Sequence, residues 1–320
     1  MKKVLITGGA GQIGSYLADR MQADHEVTVL DNLSSGKEPE LSKNVRFIKE
    51  DIRSPIAREL AAEHDIIIHT AAQISVARSM DDPLFDADNN VFGTLNLLEG
   101  ARLGDPERFI YISSAAVYGD PEYLPVDEQH PQNPMSPYGA SKFCGEKYCS
   151  MYNRAYGLPS VCIRPFNIYS PRQDPSNPYS GVISKFIGRV REELPPVIFG
   201  DGTQTRDFVS AHDVVDMILL LCSGKGENGD VYNIGTGRVT SINELAHIIL
   251  DIFGSDMDIE YKDPLPGDIK DSYADISKAK KIGYRPQVDL YRGLEEIIGQ
   301  ESLCQNSING MEQKKQNSPD

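Results

Sequence analysis

Residues 4–21 read "VLITGGAGQIGSYLADRM": a short apolar run, a turn punctuated by glycine, then Ile13, Leu17 and Met21 spaced four apart. The run is continuous rather than alternating, as in a strand buried on both faces, and the four-residue spacing marks an amphipathic helix. The same texture continues outward from this unit. "EVTVLD", "VRFIKED", "DIIIHTAA", "RFIYISSA" and "SVCIRPFNIY" are further apolar runs, and Leu95, Leu97 and Leu98 mark another helical stretch between them. Strands alternating with helices predict an α/β fold, a doubly wound parallel sheet with helices on both faces. After Asn167 the texture changes to "YSPRQDPSNPYSG", "FGDGTQTRD", "VYNIGTG" and "PLPGD", rich in proline, glycine and polar residues. The expected organisation is a dinucleotide-binding domain over 1–167, with a return to the sheet around 205–235. A smaller region over 168–302 would lie across the sheet's carboxyl edge, where open α/β sheets bind ligands. The last residues, 303–320, lack apolar periodicity and are expected to be disordered.

Gly8, Gly11 and Gly14 follow a GxxGxxG spacing between strand and helix. Glycines there allow a tight turn and let backbone N–H groups and a helix N-terminus approach a pyrophosphate. Asp31 closes the next strand in "VTVLDN", about 20 residues beyond, where an acid hydrogen-bonds an adenosine ribose and repels a 2′-phosphate. The pattern therefore predicts NAD rather than NADP as cofactor. In "SPYGASK" (136–142), Tyr138 and Lys142 leave one face of a helix, so the ammonium can favour the phenolate. Such a pair alone is more often a surface tyrosine and a solvated lysine; a preceding cofactor site changes that reading.

The bulk composition narrows the partners. The chain has 320 residues, 40% hydrophobic and 25% charged, with net charge −15 and pI near 4.9. An acidic chain of this kind is not expected to bind nucleic acid or an anionic membrane, which call for a basic stripe. No apolar run reaches membrane-spanning length, and "MKKVLITGGAG" reads as a charged start to a strand rather than a signal peptide. Five scattered cysteines (144, 149, 162, 222 and 304) suggest reduced thiols in a cytoplasmic protein. The six histidines show no HxxxH or HxxEH pairing, so no metal site is expected. Asp213 in "HDVVDMI" reads as a helix cap, and Tyr118 as either a sugar contact or a packing residue.

Seven segments, "TGGAGQIG", "DNLSSG", "DI" at 51–52, "HTAAQISV", "NNVFGT", "SSAAVYG" and "SPYGASK", together resemble the extended short-chain dehydrogenase/reductase family. The resemblance is nearest to its UDP-sugar 4-epimerases, of the UDP-glucose 4-epimerase type, and runs from residue 1 to about residue 300. It implies an NAD-dependent isomerase that oxidises a UDP-hexose at C4 and returns hydrogen to the opposite face. It also implies that Gly8, Gly11, Gln12, Ile13, Gly14, Asp31, Asn32, Ser34, Ser35 and Gly36 contact the cofactor. Asp51 and Ile52 would face the adenine, Ala71 and Ala72 would line the dinucleotide, Asn89 would hydrogen-bond near it, and Phe166 would sit by the nicotinamide. Tyr138 would be the general base, its pKa lowered by Lys142 and the positive nicotinamide, and Lys142 would also hold the ribose. Ser114, at the carboxyl end of the fifth strand, would donate to the sugar oxygen.

For the substrate, the resemblance implies Asn167 on the diphosphate, Phe199 stacked on uracil and Arg206 on phosphate oxygens. Against these stand core packing for Phe199 and an ion pair with Asp207 for Arg206. Related dehydratases carry Asp-Glu, and related decarboxylases a glutamate, where this chain has Ala115 and Ala116, so both lyase readings are weakened. Two departures stand out. Leu265 replaces the arginine of an "RPGD" segment, with Lys262, Lys270 or Arg172 as substitutes. Ser272 stands where some relatives have a pocket-closing tyrosine, leaving room for a 2-acetamido group. The alternatives are a UDP-glucuronate 4-epimerase, with Arg172 as candidate carboxylate partner, another nucleotide-sugar enzyme of the family, and last a non-enzymatic NAD sensor. The family also implies a homodimer through helices near Leu95 and Tyr148.

Overall fold

The computed structural model describes residues 1–34, 44–173, 181–265 and 267–299. Strands β1 (Lys3–Thr7), β2 (Glu26–Asp31), β3 (Val45–Lys49), β4 (Ile66–His69), β5 (Arg108–Ile112) and β6 (Ser160–Pro165) alternate with helices. These are α1 (Gly14–Met21), α2 (Pro55–Glu63), α3 (Val76–Asp81), α4 (Pro83–Ala87), α5 (Gly93–Gly104) and α6 (Pro137–Tyr156). A single π turn, Asp88–Phe92, joins α4 to α5. The chain continues through β7 (Asn167–Tyr169), α7 (Val182–Arg191), β8 (Val197–Phe199), β9 (Thr205–Arg206), β10 (Phe208–Ser210) and α8 (Ala211–Cys222). Then follow β11 (Val231–Ile234), β12 (Thr240–Ser241), α9 (Ile242–Phe253), β13 (Glu260–Lys262), β14 (Asp271–Ser272), α10 (Ser277–Lys281) and a last helix over 290–299.

Seven strands form one parallel sheet in the order β11-β6-β5-β4-β1-β2-β3. The order reverses between β1 and β4, the switch point where a crevice opens beyond the carboxyl ends of the strands. The unbroken apolar runs have their physical reason here. Val4, Leu5 and Ile6 are fully buried, with Val4 and Ile6 facing the α1/α8 side and Leu5 the α2/α5 side. Helix α1 seats Leu17 and Met21 under the same layer, each side chain contributing about 1.5–3 kcal/mol by burial.

The C-terminal texture resolves into small pairings: β10 with β7, β13 with β8, and the three-strand set β12-β9-β14. A separate core of Phe186, Ile187, Leu245, Ile249 and Leu294 holds this part together. The sequence run "SVCIRPFNIY" divides into β6 and β7 at Phe166, which moves the chain from the large sheet to a pairing with β10. Helix α8 is capped by Ser210, which accepts from His212 N–H, and not by Asp213. Asp213 instead accepts from the backbone of Gln287 and Val288, tying the last helix's approach to α8. Ser35, Gly36 and residues 303–320 lie outside the described residues. Among the described residues no helix is long and apolar enough to cross a membrane.

Candidate active site

The glycine turn after β1 separates structural needs from a ligand's needs. Gly8 has φ +70°, and a Cβ there would lie 2.6 Å from Ala71 N. A Cβ on Gly14 would lie 2.4 Å from Gly8 O, so its absence lets α1 pack on the turn. A Cβ on Gly11 would meet only Gly8 O, at 3.2 Å, so the fold itself asks little of this glycine. Gly11 borders a cleft of about 620 Å³ at the sheet's switch point, together with Gly8, Gln12 and Ile13. The N-terminus of α1 has no side-chain cap, which leaves its positive end for an anion. Buried Gln12 Oε1 and Ser113 Oγ lack hydrogen-bond partners. These features fit a dinucleotide.

At the β2 end, Asp31 Oδ2 accepts from Ala10 N–H (2.9 Å) and Oδ1 from Leu33 N–H (2.8 Å), fixing the carboxylate at the cleft wall. Asn32 and Ser34 line the same wall, and Asn32 Oδ1 accepts from Ser34 N–H. Asp51 is turned elsewhere: Arg53 Nε (2.7 Å) and Asn32 Nδ2 (2.8 Å) bind its carboxylate. The Arg53 hydrogen bond holds its pKa down to about 2. Glu50 and Ile52, its neighbours, border the cleft instead. Ala71, Ala72, Asn89 and Phe166 all line it.

Ser114, Tyr138 and Lys142 meet at the other end of the cleft. "SPYGASK" forms the start of α6 because Ser136 Oγ accepts from Gly139 N–H and Pro137 occupies the first turn, where no N–H is needed. Ser114 caps the 3₁₀ turn Ala115–Val117 by accepting from Ala116 N–H at 3.1 Å, and lines the cleft with Tyr138. Lys142 is 3% exposed, donates to Ile112 O at 2.7 Å and lies 5.0 Å from the Tyr111 ring centre. Burial lowers its pKa to about 8, against the raising charges of Asp86 and Glu146. The Tyr138 phenol departs from the sequence expectation. In the protein by itself, burial pushes it above its ordinary value, the Ser114 hydroxyl opposes this, and the charge of Asp86 adds to it. Lys142 directs its ammonium at a backbone carbonyl, so the lowering that a base requires falls to a bound cationic ring.

Several residues around this site were not singled out from sequence. Gln73 Nε2 donates to Asp86 Oδ1 (2.8 Å), Asn90 Nδ2 donates to the same oxygen (3.1 Å), and Asn90 also bonds Ser141 Oγ (3.1 Å). Arg78 lines the cleft with its guanidinium 3.9 Å from the Phe85 ring centre. Beneath α6, Glu146 and Arg164 form a bidentate pair (2.8 and 2.6 Å), 3% and 2% exposed. Tyr118 is a packing residue: it is 2% exposed, accepts from Arg164 and donates to Asn233. Apart from Tyr118, no periodicity or spacing pointed to this set.

The residues expected at the nucleotide are less gathered. Phe199 is 40% exposed and borders a second cavity of about 750 Å³ with Tyr261, Lys262, Leu265 and Lys270. It is therefore not core filler. Arg206 pairs with Asp268 (2.7 Å), a residue of that cavity's rim. It does not pair with Asp207, which is fully buried and accepts from Thr236, Gly237 and Ala274. Asn167 Nδ2 donates to Asp207 O at 3.2 Å, and Ser272 stands in register beside Arg206. Asn167, Arg206 and Ser272 border neither cavity. Arg172 is paired with Asp19 (2.5 Å) and stacked on Tyr16. Lys262 and Lys270 are thus the cations beside Leu265. Among the described residues no group of three or more metal-ligating side chains exists.

Comparison with known proteins agrees with this geometry. Residues 4–235 match the NAD dependent epimerase/dehydratase family. The UDP-glucose 4-epimerase of Mycolicibacterium smegmatis is 42% identical over 306 residues, covering 92% of this chain and 97% of that one. The structure of UDP-glucose 4-epimerase from Thermotoga maritima with UDP-glucose is similar at TM-score 0.89 and 38% identity, covering 94% and 99%. That of UDP-N-acetylglucosamine 4-epimerase from Methanobrevibacter ruminantium M1, in complex with UDP-N-acetylmuramic acid, is similar at TM-score 0.89 and 38% identity, covering 93% and 97%. The chain therefore belongs to the NAD-dependent epimerase/dehydratase family, with NAD as its cofactor and the UDP-glucose 4-epimerases among its near relatives.

Proposed function

We propose that the protein is an isomerase acting at C4 of a UDP-hexose, interconverting UDP-glucose and UDP-galactose and also taking UDP-GlcNAc and UDP-GalNAc. One observation carries the reading. Ser114 and Tyr138 line one cleft with the buried Lys142, and the carboxylates lining that cleft, Asp31 and Glu50, lie at the ends of β2 and β3, on the other side of the switch point from β5. Ala115 and Ala116 offer no acid for eliminating water or carbon dioxide.

When bound, NAD supplies a two-electron acceptor that later returns what it took. Tyr138, as phenolate, removes the proton of the C4 hydroxyl. Ser114 donates to the same oxygen as it becomes a carbonyl. Lys142, held by Ile112 O, offers its remaining N–H groups to the cofactor's ribose. Phe166, 7% exposed, closes the floor against water. If the ketosugar turns over before it is reduced, C4 regains its hydrogen on the opposite face while Tyr138 gives the proton back to the C4 oxygen, with no net redox change.

At the nucleotide end, Phe199 stacks on uracil while Lys262 and Lys270 take the phosphate role that Leu265 cannot. Asn167 and Arg206 contact the diphosphate after Arg206 exchanges Asp268 for it. The protein works in the cytoplasm as a homodimer through α5 and α6, where Leu103 and Tyr156 stand 68% and 55% exposed, beside Phe92 of the preceding π turn at 63%. Incubating purified protein with UDP-glucose, UDP-GlcNAc and UDP-glucuronate separately, without added NAD, tests the whole reading. NMR should show UDP-galactose in the first tube, and an unchanged substrate in all three would sink it. A uronate reading has one observation in its favour: Arg78 faces the catalytic cleft over a ring rather than a carboxylate. Product from UDP-glucuronate alone would select it.

A further inference from the structure

Asp86 is 1% exposed on α4, and its Oδ2 has no hydrogen-bond partner. A carboxylate so placed is costly unless a positive charge answers it. Its other oxygen is fixed by Gln73 and Asn90, and Asn90 in turn bonds Ser141, the residue before Lys142 on α6. Lys142 is the buried cation of this neighbourhood, using one N–H on Ile112 O.

The other groups around Lys142 leave that answer to Asp86. On α6, Glu146 gives both oxygens to Arg164 of β6, so that pair is neutral as a unit. Tyr111 of β5, Cys162 of β6 and Tyr138 of α6 are pushed upward by their surroundings and stay uncharged, Cys162 chiefly through its hydrogen bond with Cys149 of α6 and the others chiefly through burial. His69 of β4, between the hydroxyls of Thr7 and Thr94, is held down to about 3 by burial and stays neutral.

We propose that Asp86 is a positioning residue: the buried counter-charge that keeps Lys142 an ammonium, held in place by the Gln73–Asn90–Ser141 hydrogen bonds. This rests on the reading of Tyr138 and Lys142 as the catalytic pair. The arrangement has a cost built in, because the same negative charge opposes ionisation of Tyr138. Removing it therefore moves both groups in one direction, downward in pH.

The test is the titration of Lys142 in cofactor-free protein carrying ¹³Cε-lysine, with the resonance assigned through Lys142→Met. Asp86→Asn is isosteric and keeps an acceptor for Gln73 and Asn90. It should lower the Lys142 midpoint by about one pH unit, and Asp86→Glu should restore most of it. An unmoved midpoint overturns the proposal. So does a wild-type Lys142 that is already neutral at pH 7, a reading that needs no variant. In turnover, both limbs of the Asp86→Asn pH profile should shift to lower pH, whereas a uniform loss with fixed limbs would mean a structural role and overturn it. The titration uses no sugar, so a failure to epimerise any UDP-hexose leaves the result for Asp86 standing.

Discussion

The cleft at the switch point and the cavity around Phe199 are built by different means. The cleft is fixed from below: Lys142, Asp86, Glu146 and Arg164 are each at most 3% exposed, and their bonds cross between α4, α6, β5 and β6. The second cavity is bordered by exposed side chains on two three-residue strands and the loop after the second, with Phe199, Tyr261 and Leu265 at 40%, 51% and 52% exposure. A site held by buried polar bonds is preorganised, and loss of one member should be felt as a large step. A site held by rim ion pairs adjusts, and its members should contribute in small, graded amounts.

The largest effect is expected at the base. Tyr138→Phe keeps the ring and loses the proton acceptor, so turnover should fall about 10²–10⁴-fold while the protein still co-purifies with NAD. A coupled assay beside cofactor absorbance reads both. Near-normal turnover would remove the phenol from its role, and the cleft would no longer differ from the second cavity in holding a preorganised group.

Stability sharpens the comparison next. Glu146→Ala leaves Arg164 charged and unpaired in the interior, which should cost about 3–5 kcal/mol in urea unfolding. Asp268→Ala removes the partner of Arg206 at the rim of the other cavity, 41% exposed on the acid side, and should cost less than about 1 kcal/mol. Equal losses from the two would mean that the regions are held alike. A smaller effect is expected at Gly11→Ala, whose Cβ meets only one backbone atom, at 3.2 Å. Unfolding should stay near wild type, and NAD retention should weaken about tenfold, or about 1.4 kcal/mol, by calorimetry. A destabilised fold with undiminished NAD retention would show that Gly11 serves the turn rather than the ligand.

The same contrast explains what the sequence disclosed. The sheet and the glycine turn were legible because burial on both faces leaves continuous apolar runs and because a tight turn leaves glycines at fixed spacing. Tyr138 and Lys142 were singled out by their four-residue spacing after a cofactor motif and Ser114 by the family resemblance, and all three line one cleft. Asp86, Gln73 and Glu146 were not, since a buried polar residue and a solvated one look the same in one sequence. Arg206 and Asp213 mark the limit of adjacency. An ion pair with Asp207 was the alternative weighed for Arg206 and a local cap the reading of Asp213, and each instead binds a segment more than sixty residues later.

The smallest expected effect lies at Leu265. This side chain is half exposed beside Lys262 and Lys270, and Lys262 is already engaged by Glu260 at 3.3 Å. Leu265→Arg would add a guanidinium at the cavity's rim without removing any buried contact, so unfolding should be unchanged. A fork aimed at a diphosphate would contribute about 1 kcal/mol, fewer than ten-fold in affinity for UDP, because solvent and salt screen it. Calorimetry with UDP at low and high salt separates the outcomes. A gain that disappears with added salt is the graded response expected of an adjustable site. No gain at low salt would mean that Lys270 already satisfies the phosphates. A gain of hundredfold or more would place the diphosphate in a desolvated seat, and the second cavity would then be as preorganised as the first.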